Sequence, residues 1–321
     1  MTGLDTLAAQ ILEGGVATDE TINPAWRECL DDFRRAVAAE GGVTPNAVSA
    51  LGYGAADLPE GVTNEGTRDW RRAWRAARKS DVAGLDRAEA EHAGALAMLR
   101  RHGLAAEYLD TTDRLRWGSN MALARHFYYS RRLKAVRAEP GRILEIGAGS
   151  GQFATFATDA GLVSHYVIVD LPEMLLNSAA TVARKLPQAD IRAGEAPDFS
   201  APGLHFWLLR PSEIALIPDR SLDAGLNFNS FMEMDDQVRD AYIGHIYRTC
   251  SPGAAFYNVN RYQQSMARRD GSTFTGNPLL YPYRADDEVI EWGVDEMQHT
   301  LRARVFHTPK SFSISRIALI R

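Results

Sequence analysis

Cysteine is nearly absent from this 321-residue chain: there are two, Cys29 and Cys250, far apart and without metal-ligand spacing. That excludes a disulfide framework and a structural zinc site, and it fits a reducing compartment. An excess of positive charge is missing as well. Lys and Arg number 36 against 41 Asp and Glu, giving a formal net charge of −5 and a pI near 5.9. The chain as a whole therefore does not attract nucleic acid or an anionic membrane surface. No stretch approaches the roughly 20 apolar residues of a membrane span, and the N-terminus, MTGLDTLAAQILEGG, has no basic segment and carries acids within its apolar run. The composition predicts a cytoplasmic protein whose partner is a small molecule rather than nucleic acid or membrane; a homodimer is compatible with it.

What is present is enough apolar residue, 45% of the chain, to bury the core of one large domain or two smaller ones. Up to about residue 137 the periodicity is helical, rich in Ala, Arg and Glu, with almost no β-branched runs. Asn23-Pro24 opens a helix that Gly41-Gly42 ends, with Trp26, Leu30, Phe33 and Val37 on one side. Further helices are expected over 67–78, 81–102 and 119–136. After residue 141 strands alternate with helices, the pattern of a parallel sheet covered on both faces. Strands are expected at RILEI, HYVIVDL, HFWLLR, LDAGLNF and AAFYNVN, counted one to five, with a closing hairpin of 302–308 and 312–320. The expected division is a helical region, 1–115, and an α/β domain, 116–321.

The stretch ILEIGAGSGQF, Ile143 to Phe153, is a strand ending in three glycines spaced two apart and running into a helix. Without β-carbons the backbone turns tightly and comes close to a ligand. Asp170 ends the next strand, placed to accept hydrogen bonds from two ribose hydroxyls. A dinucleotide site needs a small residue where this chain has Gln152, and Glu145 would repel a pyrophosphate. A cationic ligand suits the loop better, which disfavours a nicotinamide-dependent oxidoreductase.

LEIGAGSG followed by Asp170 resembles the opening motif of class I S-adenosylmethionine-dependent methyltransferases, over about residues 141 to 262. The resemblance implies a Rossmann-like α/β sheet, mostly parallel with an antiparallel C-terminal strand, and S-adenosyl-L-methionine as cofactor. It places Glu145, Gly147, Ala148, Gly149 and Gly151 at the methionyl part of that cofactor, Asp170 on its ribose and Leu171 against its adenine. NFNSFMEM, through Asn227, Ser230, Phe231, Glu233 and Met234, together with DLPE and FYNVNR, resembles a sugar O-methyltransferase subgroup. One departure is that LLRPSE stands where the usual acid follows the third strand, so the adenine contacts near Arg210 and Ser212 are not carried over.

Methyl transfer is an in-line displacement in which the protein mainly aligns the acceptor. A sugar hydroxyl holds its proton tightly and also calls for a base or a metal. Open α/β sheets place ligands at the C-terminal ends of their strands. That points to Asn229, Ser230 and Glu233 after the fourth strand, Asn229 and Ser230 touching cofactor as well as acceptor, and to Asn258, Asn260 and Arg261 after the fifth. Glu233 is the expected base; the alternative is a carboxylate that satisfies a helix N-terminus. His126, on the helix leading to the glycine strand, is a second catalytic candidate, and Tyr283 with Tyr281 is expected to line the acceptor pocket. Asp235 and Asp236 read as helix-opening acids rather than metal ligands, and no metal is assigned. The run Arg68 to Ser80, with Trp70 and Trp74, reads as a solvated helix face over a buried stripe. The expected function is O-methylation of a sugar or sugar-like small molecule in natural-product or glycan biosynthesis. The alternatives are a nitrogen or carboxylate acceptor, and a non-catalytic scaffold.

Overall fold

The computed structural model describes residues 7, 10–11, 24–40, 82–117, 121–139, 141–267, 272–298 and 312–321. The expected helix over 67–78, with Trp70 and Trp74, and the expected strand at 302–308 lie outside the described residues. Among the described residues the helices that precede the sheet include α1 (Pro24–Glu40), α2 (Val82–Arg101), α3 (Ala105–Arg114) and α4 (Met121–Val136). Proline 24 takes the first turn of α1, where its missing N–H leaves nothing unsatisfied. Leu30 and Phe33 of α1, Met98 and Leu99 of α2, Tyr108 of α3 and Phe127 of α4 are buried in one shared cluster.

The strands are β1 (Gly141–Ile146), β2 (Val163–Val169), β3 (Asp190–Ala193), β4 (His205–Leu209), β5 (Leu222–Phe228), β6 (Cys250–Arg261), β7 (Gln264–Ala267), β8 (Thr273–Gly276), β9 (Glu288–Val294) and β10 (Ser313–Leu319). Between them lie α5 (Gln152–Asp159), α6 (Pro172–Lys185) and α7 (Asp236–Thr249). Among the described residues eight strands form one sheet in the order β3-β4-β2-β1-β5-β6-β10-β9, and β7 and β8 pair separately. All neighbours from β3 to β6 are parallel, while β10 runs against both β6 and β9. The architecture is the expected α/β sheet, Rossmann-like and mostly parallel, with an antiparallel C-terminal strand. Both edges of β10 are thus taken by β6 and β9.

Alternation along the strands sends successive side chains to opposite faces. Ile143, Tyr166 and Ile168 enter the core shared with α4, α5 and α6. Leu144, Ile146, Val167 and Val169 enter a second core under α7, with Ile243 and Ile246. Glu145 has the parity of Ile143 and is buried with the first set, 1% exposed. Among the described residues no helix is long and apolar enough to cross a membrane.

Candidate active site

The chain leaves β1 for β2 on one side and returns to β5 on the other, so a crevice opens between the C-terminal ends of β1 and β5. A cleft of about 330 Å³ lies there. Its floor is Ile146, Gly147, Ala148, Gly149 and Ser150, its sides Asp170, Leu171, Met174, Pro211, Phe228, Asn229, Ser230, Glu233 and Met234. Helix α4 supplies Ala122, Arg125 and His126, and α7 supplies Val238 and Tyr242, one turn apart.

The three glycines have positive φ, +72° at Gly147, +61° at Gly149 and +69° at Gly151, a region in which a β-carbon is strained. They differ in what a β-carbon would meet. At Gly147 it would collide with Cβ and Oγ of Ser230, and at Gly151 it would press on the α6 backbone at Ser178 (3.3 Å). At Gly149 the nearest atom is Met174 Cε at 3.8 Å, so the loop apex faces open cleft. Gln152 begins α5, is 4% exposed and borders the same cleft, where a dinucleotide fold has a small residue.

Asp170 is oriented by two backbone donors: Gly149 N–H to Oδ2 and Leu171 N–H to Oδ1, each 2.8 Å. Burial, with the nearby charges of Glu173 and Glu233, pushes its carboxyl up to about 7 against the pull of those two N–H groups. Glu173 in the first turn of α6 is in turn held by Arg34 of α1, Nη2 to Oε1 at 2.6 Å and Nε at 3.0 Å. This ties the first described helix to the acid loop.

Of the residues singled out from the sequence, the cleft brings together Gly147, Ala148, Gly149, Asp170, Leu171, Asn229, Ser230, Glu233 and His126. Gly151 packs behind the loop. Glu145 does not line the cleft: its strand parity sends it into the core, where Tyr166 donates to it at 2.8 Å and burial pushes its carboxyl up to about 8. Burial thus favours its uncharged form, unlike a bare carboxylate beneath the loop. Asn260, Arg261 and Tyr283 do not line it either. Asn260 is fully buried, its amide occupied by the Met232 N–H (3.1 Å) and by Asn227 Oδ1 (2.9 Å). The Arg261 backbone N–H meets Met232 Sδ at 3.3 Å, and Tyr283 bonds Asn258 and stacks under Arg316, on the α7 side of the sheet. Ser230 serves the loop itself, accepting from Asn227 Nδ2 and donating to the Ile146 carbonyl at 3.2 Å. Arg210 is forked onto Glu213, which caps the short helix after β4, leaving Pro211 as the cleft residue there.

His126 and Asn229 carry enclosed polar atoms without a protein partner, Nδ1 and Nδ2 respectively, as does Arg125 with Nε. Burial and the neighbouring Arg125 hold the His126 imidazole well below its ordinary range, hence neutral. Asn229 itself sits at φ +64°, its N–H bonded to the Val259 carbonyl. Arg125 was not singled out from the sequence, although it adjoins His126. Val238 and Tyr242 carry only the helical spacing of a buried stripe.

No family model matches the chain, and no curated protein matches it. Solved structures of related architecture do. The 1,6-didemethyltoxoflavin-N1-methyltransferase of Burkholderia thailandensis, with S-adenosylhomocysteine bound, is 14% identical over 70% of this chain and 89% of its own, at a TM-score of 0.41. The magnesium protoporphyrin IX methyltransferase of Synechocystis is 11% identical over 63% and 80%, at 0.39. The cyclase SpnF is 14% identical over 60% and 81%, at 0.42. At these identities and scores none of them assigns an activity to this chain.

Proposed function

We propose that the chain is an S-adenosyl-L-methionine-dependent methyltransferase acting on a hydroxyl of a sugar or sugar-like small molecule. The observation that carries this reading is the hydrogen bond that joins the Gly149 N–H to Asp170. It fixes a side-chain-free loop apex and an anchored carboxylate on one open cleft. The residues fit such a cofactor. Asp170 keeps lone pairs for two ribose hydroxyls after accepting its two N–H bonds, and Leu171, Met174, Pro211 and Val238 offer apolar contact for a purine. Gln152 disfavours a pyrophosphate at the same helix start.

When bound, the cofactor supplies an electrophilic methyl group on a sulfonium. The chain's own contribution is alignment of the acceptor and removal of its proton. Glu233 and His126 are the cleft groups proposed to take that proton: Glu233 stands close enough to Asp170 to raise it, and His126 is neutral, its Nε2 lying 3.4 Å from Arg125 Nη2. Asn229 and Ser230 line the same cleft. The helical region, assigned to residues 1–115 and followed by a catalytic domain over 116–321, helps select the acceptor by packing behind the cleft, whose described helical wall is α4. Arg34 on Glu173 supports that role.

The test is transfer from methyl-labelled S-adenosylmethionine to a panel of polyhydroxylated acceptors, amines and carboxylic acids. Label on a hydroxyl supports the reading; label confined to nitrogen or carboxylate acceptors overturns its acceptor part. A chain starting at residue 116 that keeps the same acceptor preference would overturn the role given to the helices.

A further inference from the structure

A buried hydrogen-bond chain reaches the cleft from the C-terminal part of the fold. Tyr129 of α4 donates to Asp295 Oδ1 at 3.0 Å, and the Gln298 backbone N–H donates to the same oxygen at 2.7 Å. Gln298 Nε2 donates to the Tyr129 hydroxyl oxygen (3.2 Å) and to Asn229 Oδ1 (3.0 Å), while Gln298 Oε1 accepts from Ser313 at 2.7 Å. Tyr129, Asp295, Gln298 and Ser313 are each at most 3% exposed.

Ser313 donates to Gln298 Oε1, and Gln298 presents its N–H groups on the other side, to Tyr129 and Asn229. Asn229, which lines the cleft, turns its oxygen to Gln298, and its Nδ2 is enclosed without a protein partner. Arg125 lines the same cleft with Nε enclosed and unpartnered; its Nη2 lies 3.4 Å from His126 Nε2, and it makes no salt bridge among the described residues. A half-buried guanidinium and an oriented amide, both with free donors, are complementary to an anion with two oxygens.

We propose that Gln298 is a positioning residue that holds the Asn229 amide as a donor, and that Asn229 with Arg125 binds the carboxylate of the ligand's amino-acid portion. This rests on the methyl-donor reading, in which that carboxylate is the α-carboxylate of the methionyl part. The same donors would hold a carboxylate on an acceptor, and the experiment separates the two sources.

The full chain is titrated calorimetrically with S-adenosylhomocysteine and with 5′-methylthioadenosine, which has the same nucleoside and no amino-acid portion. Three variants are compared: Gln298→Glu, Asn229→Gly and Arg125→Gln. Glutamate at 298 keeps the shape but can only accept from residue 229, which reverses the amide. Glycine at 229 removes the amide and suits the positive φ, so it tests the idea even if the Gln298 variant fails to fold. The expected result is a loss of roughly tenfold or more in affinity for S-adenosylhomocysteine in each variant, with affinity for 5′-methylthioadenosine unchanged. A structural role alone would weaken both ligands together, and that outcome overturns the proposal. Unchanged affinity for both also overturns it and moves the carboxylate to the acceptor. A wild-type chain that binds neither compound overturns the methyl-donor reading itself.

Discussion

Gly149 donates its backbone N–H to Asp170 Oδ2 at 2.8 Å, so the loop after β1 and the acid after β2 form one rigid unit at the mouth of the cleft. Replacing Gly149 by Val puts a β-branched residue at φ +61°, at a cost of about 1–2 kcal/mol, and fills space that only Met174 borders. The expected outcome is a modest fall in melting temperature and a loss of S-adenosylhomocysteine binding of at least about tenfold by calorimetry. Retained affinity would show that the loop apex does not face the ligand.

At Gly147 the constraint comes from inside the protein. A β-carbon there meets Ser230, whose Oγ is fixed by Asn227 and by the Ile146 carbonyl. Gly147→Ala is expected to destabilise the fold by about 2 kcal/mol or more, combining overpacking with the positive φ. Ser230→Gly in the same chain should recover part of it. Denaturant titration of the single and double variants checks this, and simple additivity would contradict the contact.

Glu145 carries a stability signature. Its carboxyl sits at about 8 in the folded chain against an ordinary value of 4.5, because burial disfavours the charge. The uncharged form is the favoured one, so its contribution is complete below about pH 4.5 and is lost as pH rises through about 8. Glu145→Gln, which stays neutral and still accepts from Tyr166, should gain stability relative to the native chain between about pH 5 and pH 9. Melting curves of both proteins across that range measure it; a difference that does not change with pH would refute the assignment.

Two groups compete for the acceptor proton. Glu233→Gln and His126→Asn are each expected to leave S-adenosylhomocysteine affinity within about twofold, and the one that is the base should lower kcat by roughly 100-fold or more. Steady-state rates with the best acceptor from the label-transfer panel decide between them. If neither variant lowers kcat, positioning alone supports the transfer.

The part of the site written in local spacing was legible in the sequence. The glycine loop and Asp170 each sit at the end of one strand, and a strand end followed by glycine or by an acid needs no tertiary information to read. Side-chain direction was harder. Asn260 and Asn258 end a strand as expected, yet Asn260 faces Met232 and Asn227 rather than the cleft. Glu145 follows the buried parity of Ile143, a consequence of period two that the motif alone conceals. The strands β3 and β9 escaped notice because DIRA is four residues long and polar, and EVIEWGV, at the sheet edge, mixes acids with apolar residues on both faces. The chain from Asp295 through Gln298 to Asn229 was invisible, since it joins residues 69 apart that share no motif.

The central claim is that the crevice between β1 and β5 holds an S-adenosyl methyl donor rather than a dinucleotide. Calorimetric titration of the full chain with S-adenosylhomocysteine and, separately, with NAD tests it most directly. The expected result is saturable one-to-one binding of S-adenosylhomocysteine, abolished by Gly149→Val, and none of NAD. Binding of NAD alone would contradict it.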